Sequence, residues 1–264
     1  MAERKPQLDY SQQMAAMLDE EKRRQKAAKI LAVLRHALGR PDLTGLTALD
    51  VGCSAGYIAD ELAGAGATTH GVDIDEGGIA RARERFGKRV EFHLSDAEHL
   101  PFADGSVDVV VLNHIYEHVV DPAAVVAEIH RVLSDEGVAY FGLANRLGVI
   151  EPHHRLPFLS WLPPRAGDAY VRLTRKGDHY YERLQTRSSL KKLLGAFDLW
   201  DYTVPVLADP QRYSGGDIVP GIAARLPQAS FRVLMPIVPT YLWVGFKHPR
   251  SPATSDGGAP PRRV

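Results

Sequence analysis

The sequence contains one cysteine, Cys53, so no disulfide can close within the chain. It has no stretch approaching the roughly 18 uninterrupted apolar residues that a membrane-spanning helix needs, so none is expected. It has no excess charge of either sign, with 32 Lys and Arg against 32 Asp and Glu. That balance removes the global basic field of a nucleic-acid binder. The opening residues MAERKPQLDY are charged and lack an apolar core, so no secretory leader is expected. Internal repeats are also missing. These absences together lead to an expectation of a cytoplasmic protein in a reducing compartment. What the chain does have is 264 residues, 45% hydrophobic and 24% charged, enough for one decorated α/β domain.

Periodicity predicts a helix over 10–38, where Met14, Met17, Leu18, Ile30, Leu31, Leu34 and Leu38 recur among Lys, Arg and Glu. Gly39, Pro41 and Gly45 end it. Apolar runs then predict strands at 46–51, 68–72, 90–94, 107–112 and 137–143. Helices are expected between them at 58–62, 76–86 and 121–132, the last with Pro122 in its first turn. Such alternation implies a parallel sheet covered on both faces. Residues 145–185 break the rhythm with His153, His154, Pro157, Trp161, Pro163, Pro164 and a set of arginines, and read as an inserted cap. A helix over 188–197, a strand over 200–206, one helix within 209–236 and a strand over 240–247 follow. From 249 onward the composition of Pro, Gly and Ser predicts disorder.

The chemistry concentrates at Leu49-Asp50-Val51-Gly52-Cys53-Ser54-Ala55-Gly56. There a strand runs into a turn of small residues and on into a helix. Gly52 and Gly56 permit unusual backbone angles and let a ligand approach the main chain. Asp73, at the end of the next strand, can accept hydrogen bonds from both hydroxyls of a ribose. The pair therefore points to an adenosine-containing ligand. The spacing G-x-x-x-G lacks the glycine fingerprint of a pyrophosphate site, and no P-loop is present. Cys53 fits the turn as a small residue and has no nucleophilic context.

With these features in order, the sequence resembles the class I S-adenosylmethionine-dependent methyltransferases. The run from Asp96 to Asp108, DAEHLPFADGSVD, is most similar to the ubiquinone-biosynthesis branch, and the likeness covers about residues 45–145. The resemblance implies a doubly wound, Rossmann-like α/β domain with a mostly parallel seven-stranded sheet. The domain would span 42–248, with a helical segment over 1–41, an acceptor-site cap at about 145–185 and a tail at 249–264. It also implies S-adenosyl-L-methionine as cofactor. Asp50, Gly52, Cys53, Ser54 and Gly56 would form the cofactor turn, with Gly52, Ser54 and Gly56 wrapping the methionine part. Asp73 would hold the ribose and Ile74 would flank the adenine. Asp96 would accept from the adenine amino group, Ala97 would offer its N–H, and Asn113 would lie beside the methionine.

Methyl transfer from a sulfonium is an in-line displacement, and the acceptor often has to lose a proton. Histidine suits that task near neutral pH. The candidates are His118, in the stretch Asn113-His114-Ile115-Tyr116-Glu117-His118, and the pair His153 and His154. Were that stretch helical, His114, Glu117 and His118 would share a face. The ubiquinone-biosynthesis O-methyltransferases resemble it through an acidic metal motif that ends in Glu-His. Here His114 replaces an acidic residue, and magnesium prefers oxygen ligands, so no metal is assigned.

Between 151 and 192, nine Lys and Arg face four Asp and Glu. Arginine forks suit carboxylates and phosphates, so an anionic, glycan or lipid-like acceptor is one reading of the cap. The apolar stretch 217–239 is expected to pack on the core or cap, and otherwise to touch a membrane surface. The basic positions of the first helix are read as a solvated face, with a lid or dimer contact as the other choice. The expected function is methylation of a small-molecule acceptor, most simply at oxygen. The alternatives are a non-catalytic partner subunit of the same fold, and an NAD-dependent oxidoreductase, whose fingerprint is missing. The sequence assigns no oligomeric state.

Overall fold

A computed structural model describes residues 19–216, 228–253 and 259–264. Helix α1 (Glu20–Leu38) starts at Asp19, whose carboxylate accepts from the Lys22 N–H. Glu20 and Glu21 occupy its positive end, Arg35 and His36 its negative end, and Gly39 stops it at φ 67°. Ala27, Ile30, Leu31, Leu34 and Ala37 form a stripe buried against the sheet. Residues 10–18 of the predicted helix lie outside the described residues.

The eight strands are β1 (Thr47–Val51), β2 (Thr68–Asp73), β3 (Val90–Leu94), β4 (Val107–Asn113), β5 (Leu133–Ala144), β6 (Asp198–Asp201), β7 (Thr240–Phe246) and β8 (Arg262–Arg263). They form one sheet in the order β3-β2-β1-β4-β5-β7-β6-β8. Pairing from β3 to β5 is parallel, whereas β7, β6 and β8 join antiparallel. The remaining helices are α2 (Tyr57–Gly64), α3 (Glu76–Phe86), α4 (Pro122–Val132), α5 (Pro164–Leu173), α6 (Arg187–Leu193), α7 (Thr203–Ala208) and α8 (Gln228–Leu234). No helix among the described residues is long and apolar enough to cross a membrane.

Alternation along the strands builds a core on each face. Val110, Leu112, Ala139, Phe141, Leu143, Tyr241 and Trp243 pack with α4 and α6 on one side. Their neighbours Val109, Val111, Val138, Tyr140, Leu242 and Val244 pack with α1 and α2 on the other. Burial on both faces explains the unbroken apolar runs in the sequence. The doubly wound architecture is therefore as expected.

Two local expectations change, and one conditional reading is decided. The span 200–206 is not one strand: β6 stops at Asp201 and α7 begins at Thr203. The break falls where the Tyr202 N–H donates to Leu242 O and Thr203 Oγ1 accepts from the Leu242 N–H, which ties the corner to β7. The stretch 114–118 is a turn, not a helix. His114 sits at φ 57° with its N–H on Gly142 O, so the β4–β5 ladder pulls the backbone out of helical geometry. Finally, the end of the expected disordered tail supplies an eighth strand. Arg262 and Arg263 pair with β6, Val264 N–H donates to Leu199 O, and the Arg263 guanidinium binds Asp198 at 2.7 Å. Composition misses this because an open sheet edge and one ion pair suffice to place so short a strand.

Strand order reverses beside β1, whose neighbours are β2 and β4. A crevice opens at such a switch point, at the carboxyl ends of the strands. Gly52 follows β1, Asp73 ends β2 and Asn113 ends β4, so the fold brings all three to that crevice.

Candidate active site

The turn after β1 is built on left-handed backbone angles, with Gly52 at φ 75°, Ser54 at 49° and Gly56 at 82°. Gly52 and Cys53 both donate their N–H to Val72 O, at 2.8 and 3.0 Å, which pins the turn to β2. A Cβ on Gly52 would collide with Cδ1 of Ile115. Behind the turn, a Cβ on Gly56 would lie 2.7 Å from the Phe92 ring. Glycine at these two positions therefore answers both conformation and space.

Asp73 is held from two sides. Its Oδ2 accepts from the Ser54 N–H at 2.7 Å and its Oδ1 from the Asp75 N–H at 2.9 Å. Each oxygen keeps a lone pair for a further donor. Burial raises the pKa of this carboxyl, partly offset by those backbone N–H groups. Asp50 is buried more completely. Desolvation, then the nearby Asp73 charge, push it up to about 7. Asp50 Oδ2 and Ser54 Oγ are buried without a hydrogen-bond partner among the described residues.

A cavity of about 560 Å³ opens over this turn. Gly52, Ser54, Asp73, Ile74, Asp96, Ala97 and Asn113 all line it. Asp96 also accepts the Glu98 N–H at 2.9 Å, so the same side chain closes a turn and faces the cavity. Asp50, Cys53 and Gly56 stand behind the wall and shape it. Orphaned polar atoms, a glycine cradle and a carboxylate with spare lone pairs fit a nucleoside with a charged amino-acid tail.

His118 and His153 line the same cavity, with Nε2 atoms 3.2 Å apart and rings at 85°. Glu151, fully buried, accepts from Nδ1 of His153 at 2.6 Å through Oε1. Its Oε2 accepts the N–H groups of His153 and His154 at 2.9 and 2.7 Å. Burial would lower the pKa of His153, but the Glu151 hydrogen bond and the charges of Glu117, Glu151 and Glu182 raise it overall. His118 moves the other way, lowered by burial to about 4. Burial would raise Glu117, yet His114 and the other two histidines hold it near 2.

Glu117, His118 and His153 present donor atoms within 4.8 Å of one another, a set that could also hold a divalent ion. His154 instead packs among residues of the 145–185 segment. It pairs with Glu182 at 3.5 Å, stacks edge-on with Tyr180 and is absent from the cavity wall.

Sequence reasoning missed several parts. Arg23, Lys26 and Lys29 of α1 line the cavity, although their charge pattern reads as a solvated face. Arg155 lines it too, whereas the other basic residues of 151–192 do not. Glu151 lies two residues before His153, and that short spacing is the only signal that could have found it. Thr203, Leu207, Val238, Pro239, Thr240 and Leu242 close the far wall from elements distant in sequence.

Comparison with known proteins agrees with this geometry. A family profile described as "Methyltransferase domain" matches residues 49–141. The chain is 34% identical over 165 residues to the ubiquinone biosynthesis O-methyltransferase of Thiobacillus denitrificans, covering 61% of this chain and 67% of that protein. It is 30% identical over 155 residues to the protein of the same name from Aromatoleum aromaticum, covering 57% of this chain and 62% of that one. The chain thus spans about two thirds of the length of these relatives. The solved structure of an S-adenosylmethionine-dependent methyltransferase from Mesorhizobium loti superposes with TM-score 0.55 at 19% identity, covering 78% of this chain and 92% of that chain. It supports the fold. The cavity, turn and strand order define a class I nucleoside-binding α/β enzyme. The chain belongs to the S-adenosylmethionine-dependent methyltransferases, and S-adenosylmethionine is its cofactor.

Proposed function

We propose that this chain methylates a hydroxyl group of a small-molecule acceptor bound in the same cavity as the cofactor. The observation that carries the reading is the chain Glu151–His153–His118, buried at one end and open to the cavity at the other. S-adenosylmethionine supplies an electrophilic methyl group on its sulfonium. Asp73 holds the ribose, Ile74 flanks the adenine, Asp96 accepts from its amino group and Ala97 offers its backbone N–H. The turn at 52–54 and Asn113 cradle the methionine part.

As the acceptor oxygen forms its bond to the methyl carbon and the sulfur–carbon bond breaks, the hydroxyl proton passes to the His118–His153 pair. The two imidazoles are pushed in opposite directions, so the proton settles on His153, where Glu151 holds it. The Glu151 carboxylate fixes the tautomer and stabilises the imidazolium, as the acid does in a hydrolase triad.

The rest of the cavity describes the acceptor. Ile115, Val119, Leu207, Val238 and Leu242 offer an apolar wall, while Arg155, Lys26 and Arg23 contribute positive charge. An acceptor with an apolar body and an anionic group, of glycan or lipid-like character, suits both. Two relatives named for O-methylation in ubiquinone biosynthesis support oxygen as the target.

The test is calorimetry with S-adenosylmethionine and S-adenosylhomocysteine, followed by mass spectrometry on a panel of neutral and anionic hydroxyl compounds at low and high salt. A methyl ether is the expected product, with salt-sensitive preference for anionic members. Methylation at nitrogen or carbon overturns the oxygen assignment. Nucleoside binding with no methylated product across the panel supports the non-catalytic partner subunit instead.

A further inference from the structure

Away from the cavity, three metal-ligating side chains converge on the sheet edge. β2 and β3 run parallel with His70 opposite Glu91 and Val72 opposite His93. Glu91 and His93 are two apart on β3 and so project from the same face. Nδ1 of His70 lies 3.3 Å from Nε2 of His93 and 3.4 Å from a carboxylate oxygen of Glu91, and His93 Nε2 lies 3.8 Å from the other Glu91 oxygen. Zinc holds His and carboxylate ligands at about 2.0–2.2 Å, which sets neighbouring donors of a tetrahedron about 3.3–3.6 Å apart. Two of the three separations fall in that range, and the third, at 3.8 Å, lies just beyond it.

Their surroundings favour the same chemistry. Phe102 meets both imidazoles edge-on, with ring centroids 5.2 Å from His70 and 5.4 Å from His93, and so fixes the orientation of the ligands. The histidine side chains are 18% and 26% exposed, whereas Glu91 is 68% exposed and leaves an open approach for an ion and a water.

We propose that His70, Glu91 and His93 form a zinc-class metal site that staples the edge strand β3 to β2. The ion takes two imidazole nitrogens and one carboxylate oxygen, with water in the fourth position. It sits below the cofactor wall, because the chain leaves β3 directly into Ser95, Asp96 and Ala97, and the Ser95 N–H donates to Asp73 O at 3.0 Å. Phe102 closes the loop back onto the two histidines. Metal at this site therefore tightens both the open sheet edge and the loop that walls the adenine.

The test is a titration of the chelator-stripped full chain with Zn²⁺, repeated with Co²⁺, whose visible absorption reports tetrahedral coordination. The expected result is an ion bound by the wild type, with affinity lowered about 10–100-fold or more by His70→Ala and His93→Ala and retained in His118→Ala. Should a histidine variant fail to fold, Glu91→Gln keeps the test decisive. That side chain is exposed, and its loss must still weaken binding about tenfold. No binding by the wild type overturns the proposal. So does a cobalt spectrum that survives His70→Ala and vanishes in His118→Ala, since the ion then belongs to the acceptor cavity.

Discussion

Oε1 of Glu151 lies 2.6 Å from Nδ1 of His153. Nε2 of the same ring faces His118 across 3.2 Å at the cavity wall. The buried carboxylate is satisfied by three donors, the His153 ring and the backbone N–H groups of His153 and His154, which offsets the cost of removing its charge from water. In the proposed mechanism its charge holds a proton on the ring during the reaction. Glu151→Gln keeps the shape and removes the charge. It is expected to lower kcat about 10²–10³-fold, within the range of general acid–base contributions. Affinity for S-adenosylhomocysteine stays unchanged. Steady-state kinetics and calorimetry check this, and a parallel fall in nucleoside affinity would mean that Glu151 supports the cavity and not the proton.

Asp73 does two jobs, joining the turn at Ser54 to β2 and presenting lone pairs to the cavity. Asp73→Ala removes the charge-assisted contacts to a ribose, worth about 1.5–3 kcal/mol each. Calorimetry is expected to show S-adenosylhomocysteine binding weakened at least about 10–100-fold. The N–H groups of Ser54 and Asp75 lose their acceptor, so thermal stability also falls. Asp73→Asn separates the effects. An amide oxygen still accepts from one N–H, so stability recovers more than affinity does.

How much of this was legible in the sequence follows from whether the determinant is local. The glycine turn, Asp73 and the loop at 95–97 were legible, because strand–turn–helix chemistry is written in adjacent residues. The helix over 76–86 matches α3, whose N-cap Asp75 accepts the Gly78 N–H and whose first turn carries Glu76. The turn at His114 was not legible, because it depends on a hydrogen bond to Gly142 on β5. The place of Lys26 and Lys29 in the cavity was hidden for a related reason. An amphipathic pattern shows which face of α1 is buried but not that the helix packs beside the crevice. Glu151 escaped notice because a lone acid in a loop carries no pattern until its histidine partner is placed.

Gly142 and Asn113 make a sharper test of the cofactor wall. They are partners in the β4–β5 register, and a Cβ on Gly142 would collide with Oδ1 of Asn113. Gly142→Ala is therefore expected to push the Asn113 side chain from its place. Overpacking of this kind costs about 1–3 kcal/mol. Nucleoside affinity should fall with it. The double variant Asn113→Ala with Gly142→Ala should lose less than the sum of the single losses, since the clash has gone. Denaturant melts and calorimetry on all four proteins complete the cycle, and strict additivity would show that the two positions act separately.

Asp50 gives a pH dependence with a definite sign. It is buried, faces the charges of Asp73 and Arg23 and the thiol of Cys53, and is pushed from an ordinary value of 3.8 up to about 7, first by desolvation and then by Asp73. In the folded chain it therefore keeps a proton that the unfolded chain releases near pH 4. The stability linked to that proton is fully present below the unfolded pKa and is lost as pH rises through about 7. Asp50→Asn is neutral throughout and escapes the loss. Its melting temperature relative to the wild type should rise from about pH 4 to about pH 7 and level off above, in the absence of nucleoside. In an Asp73→Asn background the repulsion from Asp73 is gone, so the folded pKa of Asp50 falls, and the same rise should be smaller and level off at lower pH. A difference that stays flat across the range would show that Asp50 is ionised in the folded chain at every pH tested, with Arg23 outweighing burial.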